Sequence, residues 1–343
     1  MENKVVKRFS KSSSFYTSIK RDFFDDNSNN LKNSILINKK LADSGERINC
    51  YLCLIELPQK HDFINHSVPY VFCTNCTHLN SVYTDSGEFN SSLYVLNDKS
   101  YAKNYDDDDY RLRIKNIYAP KLDFLISTIG NNIKILDFGC GAGYFVNAAL
   151  DMQISALGVD VSTEMVKTGN DNILKNHKVR PLSTIAENEI FTSIINSDAT
   201  VLTAIGVIEH LSNPAEFFSA FKTSNIQYLY YSVPMFSLSV FLENIFLRVF
   251  PRHLSGGHTH LFTENSIIKL NELLGCVPIS EWRFGSDFLD LFRSISVSLK
   301  QNDVSDKALT LFQDNFEKNI DAFQSIQDQS SFTSEIHAIV RKY

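Results

Sequence analysis

No part of this chain approaches the roughly 18 uninterrupted apolar residues that a membrane-spanning helix requires. Its opening residues, MENKVVKRFSKSSSF, carry charge but lack the apolar stretch of a secretory leader, so a cytoplasmic protein is expected. Positive charge is not in surplus either. With 33 Lys and Arg against 39 Asp and Glu, the net charge is -6, which gives no general attraction to a phosphate backbone and argues against nucleic acid as a partner. Disorder throughout is excluded by composition, because 43% hydrophobic residues and 26 phenylalanines can fill a core. A length of 343 residues suits one large domain with an appendage.

What is present is concentrated in ILDFGCGAGYF, residues 135–145: an apolar strand, Asp137 at its end, then Gly139, Gly141 and Gly143 opening a helix. Glycines at alternate positions let the backbone turn with positive φ and approach a ligand, and the helix behind them offers unpaired N–H groups. The spacing is G-x-G-x-G, whereas a dinucleotide fingerprint reads G-x-G-x-x-G. An acid two residues before the first glycine would repel a pyrophosphate and attract an ammonium. In LGVDVS, 17 residues after Gly143, Asp160 ends a second apolar strand and could accept from both hydroxyls of a ribose. A ligand with an adenosine and an amino-acid moiety is S-adenosylmethionine (SAM).

On these residues, and on IGVIEHLSNP at 205–214, the chain resembles the class I SAM-dependent methyltransferases from about residue 118 to its end. The resemblance implies an α/β, Rossmann-like fold and a cofactor site formed by Asp137, Gly139, Cys140, Gly141, Gly143, Asp160, Val161 and Ile205. It departs from the family near residues 179–182, where no acid-containing loop holds the adenine; Ser183, Thr184 and Ile185 lie where those contacts are expected. The pattern predicts helices at 163–175, 214–222 and 264–274, and strands at 199–206, 228–233 and 277–284. A helical excursion carrying Leu309, Phe312, Phe316 and Phe323 precedes a final strand, EIHAIVRK, and the last two strands would form an antiparallel edge. Ahead of the glycine loop, Ile114, Ile117, Leu122, Leu125 and Ile129 mark the buried face of a helix. The aspartates Asp106 to Asp109 suit a solvated helix start better than an ion site, and Tyr101 and Tyr105 resemble tyrosines that reach the cofactor cleft in related enzymes.

Four of the six cysteines form CYLC, Cys50 to Cys53, and CTNC, Cys73 to Cys76, with 19 residues between the pairs. This is zinc-ribbon spacing: each C-x-x-C turn brings two thiolates to one tetrahedral ion, and two turns close a structural Zn2+ site. Buried reduced thiols or two disulfides are the alternatives, and His61, His66 and His78 lie near enough in sequence to substitute for a cysteine. A zinc module ahead of a methyltransferase domain, together with the Glu209-His210 dyad, resembles the sugar C-methyltransferases of deoxysugar pathways and related enzymes acting on glycans. There the module packs over the cleft and shapes the substrate pocket. The resemblance implies a polar segment at 1–45, a zinc-binding module at 46–100, and a methyltransferase domain at 101–343 with a helical lid at about 236–262. A family of rRNA guanine methyltransferases also places a zinc module first, and a non-catalytic SAM-binding protein is a further alternative.

Methyl transfer from a sulfonium is an in-line displacement, so alignment and exclusion of water dominate, and a hydroxyl or carbon acid also needs a base. His210, after the fourth strand, is the candidate base, with Glu209 orienting it or binding the acceptor. His258 and His260, after Gly256 and Gly257, could face the acceptor as alternative bases or phosphate contacts, or form a His-x-His metal pair. Arg248, Arg252 and Arg283 are candidates for holding a nucleotide or carboxylate, and Asp287 for capping the helix it begins together with Asp290. The expected acceptor is a small molecule or glycan; the apolar half of the lid also leaves peripheral membrane contact open.

Overall fold

The computed structural model describes residues 5–15, 26–85, 89, 107–254 and 258–343. In chain order the elements used below are β1 (Val6–Phe9), α1 (Asn27–Ala42), β2 (Phe63–Asn65), β3 (Val68–Phe72), β4 (Leu79–Ser81), α2 (Asp107–Arg113), α3 (Ala119–Ile129), β5 (Lys134–Phe138), α4 (Tyr144–Asp151), β6 (Ser155–Asp160), α5 (Thr163–His177), β7 (Leu182–Thr184) and α6 (Ile190–Ile195). There follow β8 (Val201–Ile205), α7 (Pro214–Thr223), β9 (Tyr228–Pro234), α8 (Leu238–Ile245), β10 (His260–Leu261), α9 (Glu264–Leu274), β11 (Cys276–Phe284), α10 (Asp287–Gln301), α11 (Asp306–Glu317), α12 (Ile320–Gln329) and β12 (Glu335–Lys342).

Among the described residues the larger sheet has eight strands in the order β1-β11-β12-β9-β8-β5-β6-β7. Strands β7, β6, β5, β8 and β9 pair in parallel, as alternation with helices requires. This is the Rossmann-like α/β sheet that the glycine motif implied. The antiparallel edge needs correcting. β12 runs against both β9 and β11, but β11 itself points with the parallel strands, and β1 extends the sheet beyond it in parallel. A four-residue VKRF strand has no apolar pattern to announce it. It is held instead by ladder bonds to β11, by Trp282 Nε1 donating to the Ser10 carbonyl at 2.9 Å, and by Arg8 lying 4.2 Å over the Trp282 ring.

The order of strands reverses at β5 and β8, so the crevice beyond their carboxyl ends is the place for a ligand. α3 follows α2 through a π-helical turn, Ile114–Tyr118, that widens the helix next to the glycine loop. Ile114, Ile117, Leu122 and Leu125 are buried as their spacing predicted. The helical excursion resolves into α10, α11 and α12, with Phe292 stacked on Phe312 and Phe316.

A second sheet, β10-β4-β3-β2, joins the cysteine-bearing segment to the return arm of the later insertion. β10 pairs antiparallel with β4, His260 opposite Asn80 and Leu261 opposite Leu79. Cys50, Tyr51, Leu52, Cys73 and Cys76 share one apolar cluster with Ile208, Phe217, Phe221 and Phe262 of the larger unit. No helix among the described residues is long and apolar enough to cross a membrane.

Candidate active site

Gly139, Gly141 and Gly143 have φ of 70°, 51° and 68°, conformations that L side chains rarely adopt. At Gly139 a Cβ would also lie 2.7 Å from Val207 Cγ2, and at Gly143 it would lie 2.5 Å from Leu182 Cδ1. The loop is therefore pressed against its neighbours, and Gly143 caps α4 in the left-handed region. Asp160, at the end of β6, accepts from the Gly141 N–H through Oδ2 and from the Ser162 N–H through Oδ1, both at 2.8 Å. Each oxygen keeps a second lone pair, so the carboxylate can fix the loop and still accept two hydroxyls.

Asp137, at the end of β5, is 4% exposed and accepts from Thr203 Oγ1 at 2.6 Å. Burial pushes its pKa up to about 7, opposed by the Thr203 hydrogen bond; Asp160 raises it further and Lys121 lowers it. Lys121 is itself buried, and burial lowers its pKa while Glu335, Asp137 and Glu209 favour its charged form. Above the loop, Tyr110 donates to the Ala142 carbonyl at 2.9 Å, and the rings of Tyr110 and Tyr118 stack on Tyr144 at 4.5 and 5.1 Å. Cys140 is buried, Ile205 partly buried and Val161 exposed around the same opening. Ser183 and Thr184 are exposed, and the Ile185 N–H donates to the Asp160 carbonyl at 3.0 Å.

After β8 the chain turns through Gly206 into a single 3-10 turn, Ile208–His210. Glu209 points inward: its side chain is 4% exposed, and Oε1 lies 4.0 Å from His210 Nε2. Its Oε2 is buried and has no hydrogen-bond partner among the described residues. Burial pushes the Glu209 carboxyl up to about 8. His258 stacks on His210 with ring centres 5.7 Å apart and donates from Nδ1 to the His253 carbonyl at 3.0 Å, which leaves Nε2 as an acceptor. Burial lowers both imidazoles, His258 to about 3, so both are neutral at neutral pH.

The structure thus brings Glu209, His210 and His258 together, but not His260. His260 is fully buried, with Nδ1 2.9 Å from His78 Nε2 and its ring stacked on Tyr51 at 3.7 Å. The strand begins only at His260, and this separates the two histidines. Tyr51, inside the CYLC turn, shares its single O–H between the carbonyls of Ile208 and Leu211, bracketing the Glu209-His210 turn. Nothing in the sequence pattern distinguished Tyr51, Thr203, Lys121 or Tyr110, because their partners lie far along the chain.

The four paired cysteines converge. Sγ separations are 3.7 Å for Cys50 and Cys76, 3.5 Å for Cys53 and Cys73, and 3.6 Å for Cys76 and Cys53. A tetrahedral zinc with Zn–S bonds of about 2.3 Å sets its sulfurs about 3.8 Å apart, so the cradle has the size of the ion. The two turns share a geometry: the Cys50 carbonyl accepts from Leu54 at 3.0 Å and the Cys73 carbonyl from Thr77 at 2.9 Å, with Leu54 and Thr77 at φ 61° and 55°. The Cys76 thiol and the backbone N–H groups of Cys53 and Leu52 lower Cys50 to about 5 against burial, while the same Cys50–Cys76 bond and burial raise Cys76 and burial raises Cys73, so one thiol of these three is set as a thiolate before an ion binds. A thiolate is the form that binds a metal. His78 serves His260 instead, while His61 is exposed and His66 partly buried.

The segment after β9 is tied down by acids. Buried Glu243 accepts from the backbone N–H groups of Arg252, His253 and Leu254. Asp287, fully buried, accepts from the Ser237 and Ser239 hydroxyls and the Ser239 N–H, so it anchors the insertion instead of capping its own helix. Arg252 makes a forked pair with Asp290, and Arg283 pairs with Glu264 and Glu281; neither is spare for a ligand. Arg248 lines a groove of about 510 Å³ along α1, away from the glycine loop. Tyr101, Tyr105, Asp106, Gly256 and Gly257 lie outside the described residues.

Comparison with known proteins agrees with this geometry. Residues 110–281 match the family model described as "Methyltransferase domain", half of the chain. A ribosomal protein L11 methyltransferase of Neisseria gonorrhoeae is 39% identical over 57 residues, 16% of this chain and 19% of that protein, so the match spans about a fifth of the relative's length. Among solved structures, the methyltransferase domain of a bacterial Hen1 protein aligns at 16% identity and TM-score 0.41, covering 67% of this chain and 98% of that one. A SAM-dependent methyltransferase from Archaeoglobus fulgidus aligns at 17% identity and TM-score 0.41, covering 65% and 92%. With the family model spanning the glycine loop, the β6 acid and the Glu209-His210 turn, the chain belongs to the methyltransferase-domain family.

Proposed function

We propose that this enzyme methylates a sugar, nucleotide-sugar or glycan intermediate of polysaccharide or natural-product biosynthesis. The observation that carries the reading is Tyr51: a residue of the paired-cysteine turn hydrogen-bonds both ends of the Glu209-His210 turn, so the amino-terminal module would wall the acceptor side of the cleft. That is the arrangement expected of the sugar C-methyltransferases, and the net negative charge also fits a small acceptor better than RNA.

In this reading Asp137 receives the ammonium of SAM, Asp160 its ribose hydroxyls, and Gly139, Cys140, Gly141 and Gly143 the backbone approach, with Val161 and Ile205 as walls. Ser183, Thr184 and Ile185 border the adenine. Cys50, Cys53, Cys73 and Cys76 hold a structural Zn2+ that fixes the position of Tyr51. His210, neutral at working pH, takes a proton from the acceptor, and Glu209 and His258 orient it. Residues 46–100 and 101–343 act as module and catalytic domain, with 236–262 as the lid.

The test is transfer of labelled methyl from SAM into source-cell material separated into nucleotide sugars, glycans, lipids and RNA. Label in a sugar or glycan pool is expected. Label confined to RNA would overturn the acceptor class, and tight SAM binding with no label in any pool would favour a non-catalytic SAM-binding role.

A further inference from the structure

We propose that Glu209, His210 and His258 form a binding site for a divalent first-row transition-metal cation, separate from the four-cysteine cradle. One ligand atom from each lies within 4.8 Å of the other two. A cation about 2.1 Å from each donor sets neighbouring donors about 3.0 to 3.4 Å apart, so closure takes roughly 1 Å of side-chain rotation. His210, with a side chain 33% exposed, would take up most of this movement, while His258 keeps its bond to the His253 carbonyl.

Two observations besides the clustering point to a ligand. Glu209, with a side chain 4% exposed, turns Oε1 toward His210 Nε2 at 4.0 Å, and its Oε2 is buried with no hydrogen-bond partner among the described residues, a costly arrangement as it stands. His258 is oriented as a metal-binding histidine should be: Nδ1–H is committed to the His253 carbonyl, and the Nε2 lone pair is left for a cation. That carbonyl is itself fixed, because Glu243 accepts from the backbone N–H on either side of residue 253 and from residue 253 itself.

Two imidazoles and one carboxylate suit Mn2+, Fe2+, Co2+ or Zn2+ better than Mg2+ or Ca2+, and three protein ligands leave positions open on the cleft side. An acceptor carrying two neighbouring oxygens would fill them. This last step rests on the acceptor reading above; the cation site itself does not. A cation held there would make a bound acceptor hydroxyl more acidic; His210 would then be a ligand in place of the base, and the proton would pass to water.

The experiment uses the full chain with its zinc content measured and Mn2+ as the probe, since a hard cation does not displace zinc from thiolates. Binding is followed by electron paramagnetic resonance, with Co2+ as a second probe and calorimetry of SAM in parallel. One Mn2+ per chain is expected, weakened at least tenfold by Glu209→Gln and by His258→Ala, with zinc content and SAM affinity unchanged. No saturable binding of either probe, or binding that both substitutions leave intact, would overturn the site. Loss of SAM binding would strike the cofactor reading and not the cation site, so the two failures are distinguishable.

Discussion

Asp137 carries the clearest consequence at the scale of single residues. Its pKa stands raised from 3.8 to about 7, so the carboxyl of the cofactor-free chain gains its charge as pH rises through neutrality. A raised acid contributes stability below its unfolded value and loses it as pH climbs through the folded one; the ionised, buried form is strained until a cation arrives. If the SAM ammonium is that cation, affinity for SAM measured by calorimetry should rise about tenfold between pH 6 and 8, following the ionised fraction of one group. Asp137→Asn should bind at least tenfold more weakly and without this slope; an unchanged slope in the variant would assign it to another group. Tyr51 gives a complementary test. Tyr51→Phe removes an O–H that brackets the Glu209-His210 turn, which should cost about 1 kcal/mol of stability. It should also cut turnover several-fold while leaving SAM affinity within about twofold. The turn-forming glycines and the two acids at strand ends were legible in the sequence because a strand-turn-helix pattern is local. Thr203 beside Asp137 and Tyr51 beside Ile208 were not, since their partners lie 66 and 157 residues away.

At the scale of elements, strands and helices with strong periodicity came out near their expected bounds: β12 coincides with EIHAIVRK, and α9 with residues 264–274. The failures have physical causes. β1 is a polar edge strand whose ladder partner is 274 positions away, so no pattern within it reveals the pairing. The insertion expected at 236–262 is anchored by acids that were not legible in the sequence, because Asp287 and Asp290 read as ordinary first-turn acids of α10. They are interior anchors instead. Asp290 is drawn down to about 2: Arg252 pairs with it, Arg293 and Ser239 assist, and all outweigh burial. A lowered acid stabilises above its unfolded pKa, and that contribution fades as pH falls from about 4 toward 2. Arg252→Ala leaves this charge short of its forked partner and should destabilise the protein by about 3 kcal/mol, seen as a lower Tm. Cleavage by a protease should then begin within residues 236–262. Cleavage elsewhere first would show that the pair does not hold the insertion.

Across the whole molecule, the cysteine-bearing segment and the catalytic sheet are interlocked. β10, from the later insertion, completes the small sheet, and the cysteines share an apolar cluster with Ile208 and Phe262. Removing the metal that the four thiols would hold should therefore be felt at the cleft. The double substitution Cys53→Ser with Cys73→Ser should abolish zinc content and lower turnover more than SAM affinity, because Tyr51 loses its fixed position. Equal loss of both would mean that the whole fold had come apart, which circular dichroism would report. The cofactor's placement is the premise beneath the roles given to Asp137, Asp160 and the Glu209-His210-His258 cluster. A crystal structure with S-adenosylhomocysteine tests it most directly: the amino group should lie beside Asp137, the ribose hydroxyls on Asp160, and the sulfur facing His210 and His258. A ligand whose ribose avoids Asp160, or whose sulfur points away from those imidazoles, would contradict it.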